Sequence, residues 1–383
     1  MTISLGIAGA VLLLTVLVAL EISSGHRRIR SLSTIVPEAD ELLPKVSIIV
    51  AARNEQRNIR EALQSLLNLS YPDYELIVVN DRSEDDTQAI LEQLSAGQPH
   101  LKLLQVHQLP PGWLGKNHAL WVGSRDASGE LLLFTDADIM MEPTVLKRAV
   151  TLFEQNRLDH LAVTPALLMP TAFLGMFGLA FAVIFSLFVR PWKARDPRSR
   201  FHIGIGAFNL VRSQAYRNIG GHVPVRLRPD DDLKLGKLLK KNGYRQDVVY
   251  GPDYLAVEWY ASTRELIRGL EKNAFSGADY SVPLVLTGAL FQLLCSVWPF
   301  VALPVTSGAV QMVYLAAVMI LLLMLADSAR FHRIPVWYAL GYPLVSALFV
   351  YIMLRTMVLN IIQGGIYWRG TFYPLSELRK NQV

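Results

Sequence analysis

The feature that most limits what this chain can fold into is a set of apolar runs, each long enough to cross a bilayer. Ile3 to Ile22 is almost uninterrupted apolar sequence, and three more runs follow at roughly 283–303, 306–326 and 336–358. A helix rising about 1.5 Å per residue covers a hydrocarbon core of about 30 Å with about 20 residues. The composition agrees: 52% of the 383 residues are hydrophobic, 18% are charged, and the mean hydropathy is +0.30. That is too apolar for an ordinary soluble protein, so membrane helices are expected. The one cysteine, Cys295, lies inside an apolar run. An intramolecular disulfide and a cysteine-based zinc site are both excluded.

The first run, residues 1–24, has no basic stretch before it and no small-residue cleavage site, so it reads as an anchor. The cluster His26-Arg27-Arg28-Ile29-Arg30 follows it directly. By the positive-inside rule the N-terminus is then outside and the next domain cytoplasmic, as expected for an integral membrane protein. The net charge is +5. In such a protein clustered cations report headgroup-facing loops, so nucleic acid is not the expected partner. Residues 25–44, with Pro37 and Pro44, read as a linker.

From Val46 the texture changes. Strands are expected at Val46–Ala51, Tyr74–Val79, Leu101–Val106, Leu131–Phe134, His160–Pro165 and Ile203–Val211. Helices are expected at Glu55–Leu67, Asp86–Ser95, Asn117–Ala127, Val145–Gln155, Ser213–Ile219, Asp231–Asn242 and Ser262–Phe275. This alternation predicts an α/β fold with a mostly parallel, Rossmann-like sheet. The expected domain spans residues 45–275. A membrane domain of about three spans and a basic tail would fill 276–383.

Two segments complicate this layout. Thr171 to Val189 is apolar and long enough to cross, but a crossing would separate the residues on its two sides. It is therefore expected to be an interfacial helix or shallow hairpin inserted in the domain. The following Arg190-Pro-Trp-Lys-Ala-Arg-Asp-Pro-Arg-Ser-Arg200 carries five cations suited to anionic phospholipid headgroups; a solvated basic loop is the plainer alternative. The tail from Trp368 to Lys380 is also basic, yet four spans from an outside N-terminus would place it outside. Either the last run re-enters near Gly364-Gly365 or the charge rule is overridden.

Carboxylates gather at the expected strand ends. Asp136 and Asp138 follow the strand Leu131–Phe134, where open α/β sheets bind ligands. Two hard oxygen donors there suit Mg²⁺ or Mn²⁺ shared with phosphates and water. An isolated Asp-x-Asp is more often a solvated turn, so its surroundings decide. Glu55 follows the first strand and Asp81 the second, an acidic edge suited to a nucleoside. Pro110-Pro-Gly-Trp-Leu-Gly-Lys116-Asn-His118 places glycines and a lysine at an expected helix start, an anion site in form. His118 reads better as a packed structural histidine than as a base. Asp230-Asp231-Asp232 opens a helix. Acids there favour the helix by themselves, but crowded carboxylates also raise one another's pKa towards that of a useful base.

Taken in order, Ser47-Ile-Ile-Val-Ala-Ala-Arg-Asn-Glu55, Asn80-Asp81, Thr135-Asp-Ala-Asp138, Gly206-Ala-Phe-Asn209 and Asp231-Asp-Leu-Lys-Leu-Gly236 resemble family 2 glycosyltransferases of the GT-A fold. The Pro-Gly-Trp-x-Gly-Lys element and the membrane layout resemble bacterial members associated with hopanoid and carotenoid glycosylation. The resemblance implies a nucleotide sugar, expected to be a UDP-sugar, as donor, with Mn²⁺ or Mg²⁺. It places Glu55 and Asp81 on the uridine, Lys116 on the donor, Asp136 and Asp138 at the metal, with Asp138 touching it most directly. Asp231 and Asp232 match a Glu-Asp pair whose second member is the general base. Here Asp replaces Glu, and Asp230 leaves the register open by one residue. The Gln-x-x-Arg-Trp signature of polymer-making members is missing; Trp259-Tyr-Ala-Ser-Thr-Arg264 stands in that region.

The expectation is thus an inverting, metal-dependent, membrane-bound transferase that glycosylates a lipid hydroxyl. A processive polysaccharide synthase, and a catalytically inactive membrane scaffold or lipid-translocating protein, are the alternatives.

Overall fold

The computed structural model describes residues 2–383. In chain order, α1 (Thr2–His26) precedes β1 (Arg30–Ser31), β2 (Val46–Ala52), α2 (Ile59–Leu67), β3 (Tyr74–Asp81), α3 (Thr87–Ser95), β4 (Leu101–Val106) and α4 (Gly115–Asp126). Next come β5 (Leu131–Asp136), β6 (Ile139–Met141), α5 (Val145–Gln155), β7 (His160–Thr164), β8 (Ala166–Leu168), α6 (Ala172–Val189), β9 (Asn209–Arg212), α7 (Ser213–Asn218) and α8 (Asp231–Lys241). The chain continues through β10 (Gln246–Tyr250), β11 (Leu255–Glu258), α9 (Thr263–Leu270), α10 (Ala274–Gly277), α11 (Val282–Gln292), α12 (Trp298–Val305), α13 (Gly308–Phe331) and α14 (Tyr342–Ile362). It closes with β12 (Gly365–Trp368), β13 (Thr371–Pro374) and α15 (Leu375–Lys380). Two compact units form. A sheet unit holds residues 29–166, 191–258 and 380–383; a helical unit holds 2–28, 167–190 and 259–379.

The sheet unit is built on eight strands in the order β1-β10-β7-β9-β5-β2-β3-β4. All pairs are parallel except those made by β9, which runs antiparallel to β5 and β7. This is the expected mostly parallel, GT-A-like sheet. Its central strands are apolar on both faces, as a sheet covered by helices requires. Ile48 and Val50 of β2 join α2 and α5 residues such as Leu63 and Phe153 in one core. Ile49 points the other way, to Leu120 of α4 and Leu235 of α8. The alternation is the period of two of a strand.

Several local expectations shift. The expected strand 203–211 shrinks to β9, because 203–208 forms a turn that closes on the end of β5. There Thr135 Oγ1 donates to the Ala207 carbonyl at 2.8 Å, and the Asp136 N–H donates to Gly206 O at 3.1 Å. The expected helix 55–67 begins only at Ile59, after a turn with Asn54 at φ 55°. The amphipathic segment 262–275 is broken into α9 and α10. Strand β10 was not anticipated, since it opens with Gln246 and Asp247, two polar residues that the fold buries.

In the helical unit α1 and α13 run side by side in the same direction. Ala8 and Val11 pack with Val310 and Tyr314 near their starts. Near their ends Arg27 donates to both oxygens of Asp327 at 2.7 and 2.8 Å. Among the described residues five helical segments are long and apolar enough to cross a membrane: Ile3–His26, Ala172–Lys193, Val282–Val305, Gly308–Phe331 and Val336–Ile362. The segment after Thr171 is one continuous helix, α6, so the hairpin alternative does not apply. It is also the segment most enclosed by protein, with 56% of its apolar window buried. Near Gly364-Gly365 the chain forms the hairpin β12–β13, turning through Arg369 and Gly370 at positive φ, as a two-residue hairpin turn requires.

Candidate active site

Loops at the C-terminal ends of β2 and β3 are laced together. The backbone N–H groups of Asn54, Glu55 and Gln56 donate to Ser83 Oγ, Thr87 Oγ1 and Asp85 Oδ2. In return Glu84 N–H and Asp86 N–H donate to the side chains of Asn54 and Gln56. The lacing ties the loop of Glu55, which is half-buried, to the loop that follows the buried Asp81. Arg82 donates to both Asp81 oxygens at 2.7 and 3.0 Å, and Arg53 Nη1 stands 4.0 Å away. A Cβ on Gly115 would run into Asp81 Oδ2, so this carboxylate reaches the first turn of α4 only because residue 115 is glycine.

Lys116, the second residue of α4, joins the parts. Its Nζ lies 2.6 Å from Asp136 Oδ1 and 3.7 Å from Asp231 Oδ1. Burial opposes its charge, but the carboxylates of Asp136, Asp231 and Asp232 outweigh burial and raise its pKa above the usual lysine value. The start of α4 is anchored to the turn before α8. Leu114 N–H donates to Arg226 O, and Asn117 Nδ2 donates to Val225 O and Arg228 O at 2.8 and 2.9 Å.

Asp136 ends β5 and Asp138 lies in the turn to β6; both are half-buried. Burial, and then the charges of Asp136 and Glu55, push the Asp138 carboxyl up to about 7. Crowded hard oxygens of this kind suit a divalent cation, whose charge would relieve their repulsion. Among the described residues no group of three or more His, Cys, Asp or Glu side chains is arranged to hold a metal ion by itself. The pair would therefore share an ion with substrate phosphates and water.

At α8 the three aspartates separate. Asp230 is neutralised by the fully buried Arg228, with Nε 3.0 Å from Oδ1, and by Lys234 at 3.5 Å. Asp231 is buried and turned towards Lys116. Asp232 is half-buried and accepts the Leu233 N–H at 2.7 Å. Burial, and next the Asp231 charge, push Asp232 up to about 7 against the pull of Lys116. Gly204 and Gly236 allow the 203–208 turn to approach: a Cβ on Gly204 would run into the Asp232 carbonyl. That same turn receives Asp136, and a Cβ on Gly206 would stand 2.7 Å from Asp136 Oδ2. Five glycine-dependent or ion-paired approaches thus bring Lys116, Asp136, Asp231 and Asp232 together, with Glu55 within electrostatic reach of Asp138 and Asp81 beside Gly115.

His118 is buried edge-on to Trp113, ring centroids 5.4 Å apart, which fits a packed structural histidine. Sequence reading passed over Arg228 and His222. The first could have been found as the cation two residues before three consecutive acids, across Pro229; the second carries no local signal.

Strand-end carboxylates, a helix-start lysine and an acidic helix opening meet at one edge of the sheet. Residues 47–217 match the Glycosyl transferase family 2 model. The chain is similar to 4,4'-diaponeurosporenoate glycosyltransferase of Staphylococcus aureus strain USA300, 25% identical over 345 residues that cover 87% of this chain and 89% of that one. The protein of the same name from strain MRSA252 is 22% identical over the same coverage. The fold is similar to mannosyltransferase PcManGT from Pyrobaculum calidifontis in complex with GDP-Man and Mn²⁺, with TM-score 0.56 and 18% identity over 94% of this chain and 98% of that one.

Proposed function

We propose that this chain is a family 2 glycosyltransferase, an integral membrane enzyme that moves a sugar from a nucleotide sugar to an apolar, lipid-like acceptor with inversion. The observation that carries the reading is the Lys116 bridge between Asp136 and Asp231, which joins the donor edge of the sheet to the acidic opening of α8. Glu55 and Asp81 offer acceptor oxygens to a ribose and base, as UDP presents. Lys116, with the first N–H groups of α4, draws the donor diphosphate. Mn²⁺ or Mg²⁺ on Asp138 and Asp136 supplies Lewis-acid neutralisation of the leaving diphosphate when bound.

Asp232 takes the acceptor proton. A base with a pKa near the working pH is effective at this task. The acceptor oxygen then attacks the anomeric carbon opposite the leaving group, through an oxocarbenium-like state, and one displacement inverts that centre. Asp231, held by Lys116, keeps a second negative charge beside the base.

Long apolar helices support a membrane location, and similarity to a protein named for glycosylating 4,4'-diaponeurosporenoate supports an apolar acceptor. The strands before and after α6 hydrogen-bond in one sheet, β7 with β9 and β10, which supports both ends of α6 lying on one side of a membrane. This supports the interfacial placement of 171–189, with the cations of 190–200 near anionic headgroups. The tail also returns to the sheet unit: Leu227 N–H donates to Asn381 Oδ1 at 3.0 Å and Asn381 Nδ2 to Pro224 O at 2.9 Å. These two bonds support an even number of complete crossings between Glu258 and Lys380, with Asn381 on the side of the sheet unit.

The test is release of nucleoside diphosphate by purified protein with Mn²⁺, a panel of UDP- and GDP-sugars, and a lipid extract. Donor-dependent release that Asp232→Asn abolishes supports the reading. Equal release by wild type, Asp138→Ala and Asp232→Asn overturns it.

A further inference from the structure

The hairpin β12–β13 carries aromatic side chains on the face it does not pack. Its register pairs Ile366 with Tyr373, Tyr367 with Phe372 and Trp368 with Thr371. Paired side chains share a face, and successive pairs alternate between faces. Ile366 and Tyr373 point inward and are 3% and 7% exposed; Tyr367 and Phe372 point outward and are 70% and 40% exposed. The two outward rings touch, with centroids 4.8 Å apart. A strand pair with one packed face and one face in water carries polar residues on the wet one. Here the outer face carries a pair of rings instead.

The position of the hairpin says what the rings meet. Leu375 N–H donates to Gly364 O at 2.8 Å and closes its base. Gly364 is the second residue after α14, which ends a segment long and apolar enough to cross a membrane. The last two residues of that helix, Ile361 and Ile362, are 46% and 76% exposed. Strands of four residues rise about 3.4 Å per step, so the hairpin reaches about 14 Å from its base at most. Cations accompany the rings. Arg369 at the tip is exposed, and Lys272 Nζ lies 4.4 Å from the centroid of the Trp368 ring on the inner face. Glu271, the acid beside Lys272, is paired with Arg355.

We propose that this hairpin is an interfacial anchor whose partner is an anionic lipid surface: Tyr367 and Phe372 lie among the headgroups, and Arg369 meets their phosphates. The headgroup layer favours amphipathic rings and attracts cations near the end of a crossing helix. A second copy of the chain is the poorer occupant. Two aromatic side chains bury at most about 500 Å², against about 800 Å² on each partner of a stable protein interface. A bilayer sets no such threshold, because the helix before the hairpin already holds the chain there.

This inference rests on the proposed membrane location, and the experiment separates the two. The full chain, with Cys295→Ala, receives one spin-labelled cysteine at a time: Tyr367→Cys, Phe372→Cys, Tyr351→Cys within α14, and Gln98→Cys at an exposed position as the aqueous control. Each protein is placed in phosphatidylcholine nanodiscs with and without phosphatidylglycerol. Accessibility of the label to oxygen is compared with that to a water-soluble nickel complex. Expected is an oxygen-to-nickel ratio at 367 and 372 severalfold above that at 98 and below that at 351. Phosphatidylglycerol should raise it further, and Arg369→Glu should abolish that rise. Ratios at 367 and 372 equal to that at 98 in both lipids overturn the inference while the membrane location stands. A rise unchanged in Arg369→Glu overturns the phosphate contact. Spin–spin broadening at 367 that vanishes in discs holding a single copy overturns the lipid partner in favour of a second copy. If the ratio at 351 equals that at 98, the membrane location itself fails and the anchor falls with it.

Discussion

The ammonium of Lys116 lies 2.6 Å from Asp136 Oδ1, tying the start of α4 to the end of β5. In the donor complex that ammonium is available to the diphosphate. Lys116→Met is expected to lower kcat/KM by about 100- to 1,000-fold, the range seen when one preorganised transition-state donor is removed. Steady-state kinetics with a saturating acceptor measure it. A loss below about threefold would remove Lys116 from the donor site.

Asp138 is expected to act with a divalent cation. Chelation with excess EDTA should abolish turnover, and Mn²⁺ or Mg²⁺ should restore it. Asp138→Ala should lose at least about 100-fold in kcat, with no recovery at high cation concentration. Titration of activity against free Mn²⁺ for both proteins tests this.

Burial and the Asp231 charge raise Asp232 to about 7. A general base must be deprotonated, so its rate contribution is lost as pH falls through that value. The kcat profile is expected to rise about tenfold per pH unit below about pH 7 and to level above it, instead of levelling near the ordinary aspartate pKa of about 4. The same shift has a stability consequence. Between the unfolded and folded pKa values the native state binds more protons than the unfolded one, so stability falls as pH rises from about 4 to about 7. Asp232→Asn should flatten both curves, as followed by kinetics and by thermal melts.

Gly115 lets the Asp81 carboxylate meet the first turn of α4. Gly115→Ala forces that carboxylate or its Arg82 partner to move. The expected result is a donor KM raised about tenfold with little change in kcat, since a ground-state contact is disturbed more than the reacting atoms. Direct calorimetry with the nucleoside diphosphate alone checks the binding term.

Asn381 makes two hydrogen bonds to the turn 224–227. Asn381→Ala should cost about 1–2 kcal/mol of stability. A protease-accessible tag added after Val383 should be cut only from the side on which the sheet unit lies; cleavage from the opposite side alone would refute the even number of crossings.

Much of this was legible along the chain. The apolar runs, the strand–helix alternation and the acidic strand ends rest on periodicities of a few residues, and such periodicities are local properties of a sequence. They fixed the α/β class, the expectation of membrane helices and the residues worth suspecting. Even so, local patterning overextended the strand at 203–211 and missed β10. Glycines in the first build a turn around Asp136, and the second opens with polar side chains that only its neighbours bury.

What the tertiary structure decided is pairing. Three consecutive aspartates read alike in sequence, but Arg228 and Lys234 neutralise Asp230 and leave Asp231 and Asp232 to face Lys116. His222 and Tyr216 are six residues apart, and nothing in that spacing marks them as a pair; two left-handed glycines and the wall of β5 make them one. Asn381 bonds to Pro224 and Leu227, which lie far back in the chain. Charge neutralisation at Lys116 and the return of the chain end both depend on groups far apart in sequence, and only the packed fold brings those groups within a few ångströms, where electrostatics and hydrogen bonding act.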